Sequence, residues 1–430
     1  MKFSVDRPAC WQQCEACGEE TVDTDSAIRC RKCGGLLAVR HRPPGLAGHE
    51  LQALFDSRTP DSWGSGVWRF GEIIMPGAGP EPVSYPEGHT PVLYREPVAR
   101  WAGVPDLLLK HEGQNPTGSF KDRGMTVGMT QARRVGARGV VCASTGNTSA
   151  SLAAYAALAG IPAFVLVPEG QVALGKLAQS IGYGARVLAV RGDFDACLAL
   201  VESASQALGL YLLNSVNPWR LEGQKTIVLE MLQQLAWDPP EWIALPGGNL
   251  GNTSAFGKAL EEAVEWGLLT RVPRLLVVQA QGASPFAQGF AAGFQERIRV
   301  PARTVATAIK IGDPASWDRA VRAVRFTRGV VLSVPDEEIL EAKRVIDRAG
   351  VGCEPASAAS LAGVRRHAAS GALAPGDRVV AILTGHMLKD PEILTGSQPG
   401  EQARLSTIEP NLRALEEAME STSNWDILPK

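Results

Sequence analysis

The stretch Gly139-Val-Val-Cys-Ala143, Ser144-Thr-Gly-Asn-Thr-Ser149, Ser151-Leu-Ala-Ala-Tyr-Ala-Ala-Leu-Ala159 and Ala163-Phe-Val-Leu-Val167 decides the fold. A short apolar run ends in a polar turn. An Ala-rich helix over Thr148–Ala159 follows, is broken by Gly160 and Pro162, and gives way to a second apolar run. Strand, helix and strand joined by links this short make a parallel pair with a crossover helix.

The same alternation continues outward. Strands are expected at Leu107–Lys110, Arg186–Val190, Tyr211–Leu213, Trp242–Leu245, Arg274–Ala280 and Val379–Leu383. Helices are expected at Lys121–Val135, Lys176–Ile181, Phe194–Leu208, Gln224–Leu235 and Thr253–Trp266. Regular alternation of this kind builds parallel sheets covered on both faces, an α/β fold. Residues from His41 to about Pro80 lack periodicity and read as an arm wrapped on a domain surface. Leu412-Arg-Ala-Leu-Glu-Glu-Ala-Met419 reads as an amphipathic helix in a charged tail, and Asn424–Lys430 as loosely held.

The 430 residues suffice for two or three domains. Lys plus Arg number 43 against 45 Asp plus Glu, a balance that argues against nucleic acid as partner. The longest apolar run, Ser151–Val167, is interrupted by Gly160 and Pro162, so no membrane segment is expected. Met1–Cys14 has no apolar signal core. The expectation is a cytoplasmic protein whose eight cysteines form no disulfide framework.

Cys14, Cys17, Cys30 and Cys33 form two Cys-x2-Cys knuckles, each followed by glycine. Two knuckles can converge into a tetrahedral four-sulfur site suited to structural zinc, with no coordination position left for substrate. The alternative is four free thiols. Cys10, Cys142, Cys197 and Cys353 fall outside that spacing.

Four polar loops follow strand ends. Lys110–Gly124 carries Asn115-Pro-Thr-Gly118 as a turn, Ser119 as a helix cap, and Lys121 in the helix's first turn. There the positive helix end lowers an amine's pKa. Lys121, one of eleven lysines, reads as a nucleophile or Schiff-base lysine, or else as a solvated surface group. Ser144–Ser149 is an anion site or a plain cap. Gly247-Gly-Asn-Leu-Gly-Asn252 is a phosphate cradle or a tight turn, and fits neither G-x-G-x-x-G nor a P-loop. Thr384 ends the strand Val379–Leu383. Asn214–Lys225 carries Arg220, a phosphate clamp or a partner for Glu222. A lysine, an anion cradle, a phosphate cradle and a hydroxyl together suit pyridoxal phosphate.

Ser119-Phe-Lys-Asp-Arg-Gly124, Ser144-Thr-Gly-Asn-Thr-Ser149, Gly247-Gly-Asn-Leu-Gly-Asn252 and Thr384-Gly-His386 resemble the pyridoxal-phosphate enzymes of fold type II, the tryptophan-synthase-β fold. Glu87-Gly-His-Thr-Pro91, Asn214–Thr226, Glu354-Pro-Ala-Ser-Ala358 and Thr384-Gly-His-Met-Leu-Lys-Asp-Pro391 are similar to its threonine synthase branch, whose members often begin with a four-cysteine ribbon.

The resemblance implies two interleaved open twisted α/β domains after an N-terminal ribbon. The ribbon would be 1–48, the large domain 49–127 plus 225–400, the small domain 128–224, and the tail 401–430. It implies Lys121 as the Schiff-base lysine and proton carrier, with Phe120 flanking the cofactor ring. Asn147 would meet the phenolic oxygen, Gly248, Asn249, Leu250, Gly251 and Asn252 the cofactor phosphate, and Thr384 the pyridine nitrogen. Ser144, Thr145 and Thr148 would hold the substrate carboxylate. Ser215, Asn217, Arg220 and Lys225 would form the region of the substrate phosphate.

The implied partner is a small phosphorylated amino acid and the implied assembly a homodimer. The implied reaction turns O-phospho-L-homoserine and water into L-threonine and phosphate. A related replacement or elimination enzyme is the other reading: a cysteate synthase, a diaminopropionate-forming enzyme or a dehydratase. Met387 stands where such enzymes often have a small residue, and a bulkier side chain there could reshape the pocket. A catalytically lapsed scaffold is disfavoured by the presence of Lys121, Asn147 and Thr384.

Overall fold

The computed structural model describes residues 8–60, 64–79, 81–170, 174–395 and 407–421. Its strands are β1 (Cys10–Cys14), β2 (Glu20–Val22), β3 (Leu37–His41), β4 (Val92–Tyr94), β5 (Leu107–His111), β6 (Gly139–Ala143), β7 (Ala163–Pro168), β8 (Arg186–Val190), β9 (Leu210–Leu212), β10 (Trp242–Pro246), β11 (Arg274–Ala280), β12 (Val330–Val334) and β13 (Val379–Leu383).

They form three sheets. A small antiparallel sheet has the order β2-β1-β3, a six-stranded sheet the order β12-β11-β10-β13-β5-β4, and a four-stranded sheet the order β8-β7-β6-β9. The six-stranded sheet is parallel except for its edge strand β4, and the four-stranded sheet is wholly parallel. The α/β reading therefore holds.

Both parallel sheets are covered on two faces, as their continuous apolar runs require. In β10, Ile243 and Leu245 enter one core while Trp242 and Ala244 enter the other. In β6, Val140 and Cys142 face one side while Val141 and Ala143 face the opposite one. The last strand in sequence, β13, lies between β10 and β5. That crossing brings Thr384 beside the turn leading to Lys121, at the strands' carboxyl ends, where open α/β sheets bind ligands.

The helix expected at Gln224–Leu235 spans Thr226–Gln234, and a further helix, Pro218–Gln224, precedes it. Asn217 caps that preceding helix by accepting from the Trp219 and Arg220 N–H groups, and Pro218 preorganises its first turn. The strand expected at Tyr211–Leu213 starts and ends one residue earlier. The arm contains a helix at His49–Asp56 and a short one at Gly71–Ile74. Its Phe55, Phe70, Ile73 and Ile74 are buried in the same core as β10, so it supplies core as well as cover. The tail helix is present at Leu412–Ser421, and Asn424–Lys430 lies outside the described residues. Among those residues no helix is long and apolar enough to cross a membrane.

A buried ionic network fixes the helix Lys121–Arg134. Arg123 bonds Glu112 at 2.6 Å and Glu230 at 2.7 Å, and Lys110 bonds Glu230 at 2.6 Å. The Glu230 carboxylate also accepts from the His89 and Thr90 N–H groups. Despite burial, the adjacent Arg123 and Lys110 hold Glu230 well below the ordinary carboxylate range. The network ties β5, the Glu87–Pro91 turn and the helix Thr226–Gln234 to the base of the lysine helix.

Candidate active site

Lys121 opens its helix, and the preceding turn is stitched to the loop after β13. The Phe120 N–H donates to Thr384 O at 3.0 Å, and the His386 N–H to Gly118 O at 2.9 Å. The cap is not the expected one: Phe120 holds the N-cap position, and Ser119 Oγ lies 3.4 Å from the Lys121 nitrogen. Asp122 does more to hold the turn. Its carboxylate accepts from the Thr117 N–H and hydroxyl and from the Ser151 hydroxyl, which ties the turn to the helix Asn147–Ala159.

Lys121 Nζ lies 4.1 Å from the centroid of the Phe120 ring. Burial, then the charge of Arg220, pushes the amine down to about 7. At neutral pH about half of it is therefore free base, the form a nucleophile needs.

Asn147 begins its helix, and its Nδ2 donates to Glu354 Oε2 at 2.9 Å. Ser144, Thr145 and Thr148 are half-buried on the same turn. Thr384 Oγ1 lies 2.9 Å from Ser357 Oγ and 3.4 Å from Glu354 Oε1. The Gly385 N–H donates to Ser357 Oγ. Glu354 is buried, and burial raises its pKa. Lys121, Asn147 and Thr384 thus converge around one carboxyl group.

The cradle after β10 also forms. Leu250 takes a left-handed φ of 63°, which turns the chain into the helix Gly251–Glu265. A Cβ on Gly248 would lie 3.1 Å from both Ala308 O and Ile309 Cα. Asn249 is held on two sides: its Oδ1 accepts from the Ala315 N–H at 2.6 Å, and its Nδ2 bonds Ser215 Oγ. Asn252 lies in the first turn, where the Thr253 hydroxyl is buried without a partner among the described residues. A glycine cradle, an unpartnered hydroxyl and a helix N-terminus fit a phosphate. With Lys121 and Thr384 they fit a phosphorylated pyridine aldehyde.

Arg220 is fully buried and lies against Gly124 and Gly128 of the lysine helix. Its Nη1 donates to Leu213 O at 3.0 Å, while its Nε and Nη2 have no partner among the described residues. It does not pair with Glu222. Burial pushes this guanidinium down to about 10. Two parallel N–H bonds are free for an anion.

Two expected substrate residues are corrected. Lys225 is unavailable to a phosphate: fully buried, its amine is bonded to Glu222 at 2.6 Å, Glu262 at 2.7 Å and the Ile73 carbonyl. Asn217 is buried and spent on the helix cap and Leu212 O, so it places Arg220 instead of contacting a ligand. Met387 packs on Gly352, where a glycine Cβ would lie 2.8 Å from its sulfur. Glu354, Ser357 and Thr253 went unassigned from sequence. For Glu354 the available signal was an acid directly before Pro355 at the start of an apolar helix.

The four knuckle cysteines converge, with Cys14 Sγ and Cys33 Sγ 3.5 Å apart, Cys17 Sγ and Cys30 Sγ 3.7 Å apart, and all four sulfurs within 4.8 Å of one another. Gly18 and Gly34 take the left-handed φ that the knuckles require. His41, Glu222 and Glu262 also cluster, but the amines of Lys225 and Lys258 already neutralise both carboxylates, so this is an ionic core.

Residues 83–385 match the family described as pyridoxal-phosphate dependent enzyme. The threonine synthase of Methanosarcina acetivorans is 44% identical over 388 residues, covering 88% of this chain and 92% of that one. The threonine synthase of Methanocaldococcus jannaschii is 43% identical over 383 residues, covering 89% and 93%. The solved structure of threonine synthase from Escherichia coli has the same fold, with a TM-score of 0.67 at 22% identity, covering 96% of this chain and all of that one.

Proposed function

The chain belongs to the pyridoxal-phosphate-dependent enzymes, and from that premise we propose that it converts O-phospho-L-homoserine and water into L-threonine and phosphate. The observation that carries this reading is Arg220, a buried guanidinium with a free two-donor edge beside the reactive lysine. A buried cation left without a carboxylate suits a site that receives a dianion. The relatives named threonine synthase support the same reading.

The cofactor, when bound, supplies an electron sink for a carbanion at the substrate's α-carbon. In our reading Gly248, Asn249, Leu250, Gly251 and Asn252 hold its phosphate, Thr384 meets its ring nitrogen, Asn147 its phenolic oxygen, and Phe120 flanks the ring. Glu354 fixes the Asn147 amide: a flipped amide would set its oxygen against the carboxylate. Ser144, Thr145 and Thr148 hold the substrate carboxylate at a helix N-terminus. Arg220, with Ser215 nearby, grips the leaving phosphate. Lys121 takes the protons from Cα and Cβ in turn, and protons return to Cγ once phosphate has left and to Cα at the end. Phosphate leaves Cγ, and water adds at Cβ.

The test is phosphate release from O-phospho-L-homoserine compared with O-phospho-L-serine. Release from the first alone is expected. Release from the second alone would replace this reading with a β-replacement enzyme, and inactivity on both would refute it.

We also propose that Cys14, Cys17, Cys30 and Cys33 hold one structural zinc, since four converging thiolates complete its shell. Purified protein is expected to contain about one zinc per chain by elemental analysis, and Cys30→Ser to lose it and melt at a lower temperature. A zinc-free wild type that melts unchanged in chelator would contradict this.

A further inference from the structure

The loop after β13 carries a cation that the proposed chemistry leaves unused. Lys389 ends the short turn Met387–Lys389. Its aliphatic stem crosses the turn before Lys121, where a Cβ on Gly118 would lie 3.0 Å from Lys389 Cε and 3.7 Å from Nζ. The amine continues to the helix Leu174–Gly182 beside the four-stranded sheet, where it bonds Gln179 Oε1. That partner is a neutral, exposed amide; among the described residues Lys389 makes no ion pair, and the carboxylates of Asp122 and Glu354 act on it only at longer range.

Position along one segment separates Lys389 from Arg220. Lys389 lies over Gly118, three residues before Lys121, while Arg220 lies against Gly124 and Gly128, beyond it. Their fields divide the same way. The lysine lies in the field of Asp122 and of Glu354, the second of which bonds Asn147 at the start of the Ser144–Thr148 turn's helix, while Arg220 acts on Lys121. The turn and helix that carry the reactive lysine therefore have a cation at each end. A substrate with a phosphate at one end and a carboxylate at the other matches two separated cations better than one cluster.

We propose that Lys389 binds the substrate's α-carboxylate, completing the hydroxyl and N–H groups of Ser144–Thr148, and that it leaves Gln179 when the anion arrives. The proposal rests on the functional reading above, which makes the substrate a phosphorylated amino acid. A carboxylate offers a charge-assisted bond where the amide offers a neutral one, so the exchange is favourable.

The cofactor-loaded protein is titrated with two probes. L-Threonine carries the carboxylate without a phosphate and is followed by the visible absorbance of the cofactor. Inorganic phosphate is followed as a competitive inhibitor. Lys389→Ala is expected to weaken L-threonine about tenfold or more and to raise KM similarly, with kcat, the absorbance band and phosphate inhibition little changed. Lys389→Arg is expected to keep most of the affinity, and Gln179→Ala to bind threonine at least as tightly as the wild type.

Unchanged threonine affinity in Lys389→Ala, an equal loss for phosphate, or a wild type without any response to threonine would overturn the proposal. Turnover of O-phospho-L-homoserine by the wild type is scored separately. Its absence refutes the functional reading, whereas the threonine titration judges Lys389.

Discussion

Lys121→Ala is expected to abolish phosphate release, by roughly a thousandfold or more, and to remove the covalent link that borohydride traps between protein and cofactor. A lysine at the ordinary 10.5 would present about three molecules in ten thousand as free amine at pH 7. The value near 7 raises that share to about half. Burial does most of this, Arg220 adds to it, and Glu354 opposes it. Capture of added cofactor by the cofactor-free protein should therefore rise with pH and level off just above 7. In Arg220→Met the midpoint should fall elsewhere, at higher pH, because a neighbouring positive charge has gone. A midpoint near 10 in the wild type would contradict the environment described for Lys121. The free amine also has a sign for stability. Between about 7 and 10.5 the unfolded chain binds the extra proton, so the cofactor-free protein should gain stability as pH rises through that window.

Arg220→Met should separate function from stability. KM for the phosphorylated substrate is expected to rise about a hundredfold, close to 3 kcal/mol, because a two-donor grip on a buried anion is lost. The thermal midpoint of the ligand-free protein is expected to rise as well. Among the described residues the wild-type guanidinium is buried with a single bond, to Leu213 O, and no carboxylate. Replacing an uncompensated buried charge with an apolar stem of similar length relieves that penalty. With the cofactor bound, so that its own phosphate fills the glycine cradle, inorganic phosphate should stabilise the wild type and leave the variant unmoved. A variant that melts lower and binds substrate normally would show that Arg220 serves the fold instead of the ligand.

Much of the framework was legible because its signals are local. β6, the helix after it and β7 announce themselves by an apolar run, a polar turn and a Gly160 stop, and the structure places them within a residue of the reading. Lys121 and Thr384 could be picked out because each follows a strand, and Asn147 through the resemblance of its loop; β13 inserts between β10 and β5 and brings Thr384 beside the Lys121 turn. What failed depended on which way a buried side chain turns. Arg220 and Lys225 stand five residues apart in one polar stretch. One keeps free donors, and the other is consumed by Glu222 and Glu262, the second of which comes from a distant helix. The helix Pro218–Gln224 escaped notice because Asn217 and Pro218 start it ahead of the apolar pattern. Glu354 went unassigned because its role exists only through residues remote in sequence, Asn147 more than two hundred residues away and Thr384 thirty.

The most direct test of the central claim is turnover of O-phospho-L-homoserine in water labelled with oxygen-18, with both products analysed by mass spectrometry. Elimination at Cγ and addition of water at Cβ put the label in the threonine hydroxyl and leave the released phosphate unlabelled. Label in the phosphate, with homoserine as the organic product, would mean that the bond to phosphorus is the one cleaved and would contradict the reaction assigned to Lys121 and Arg220.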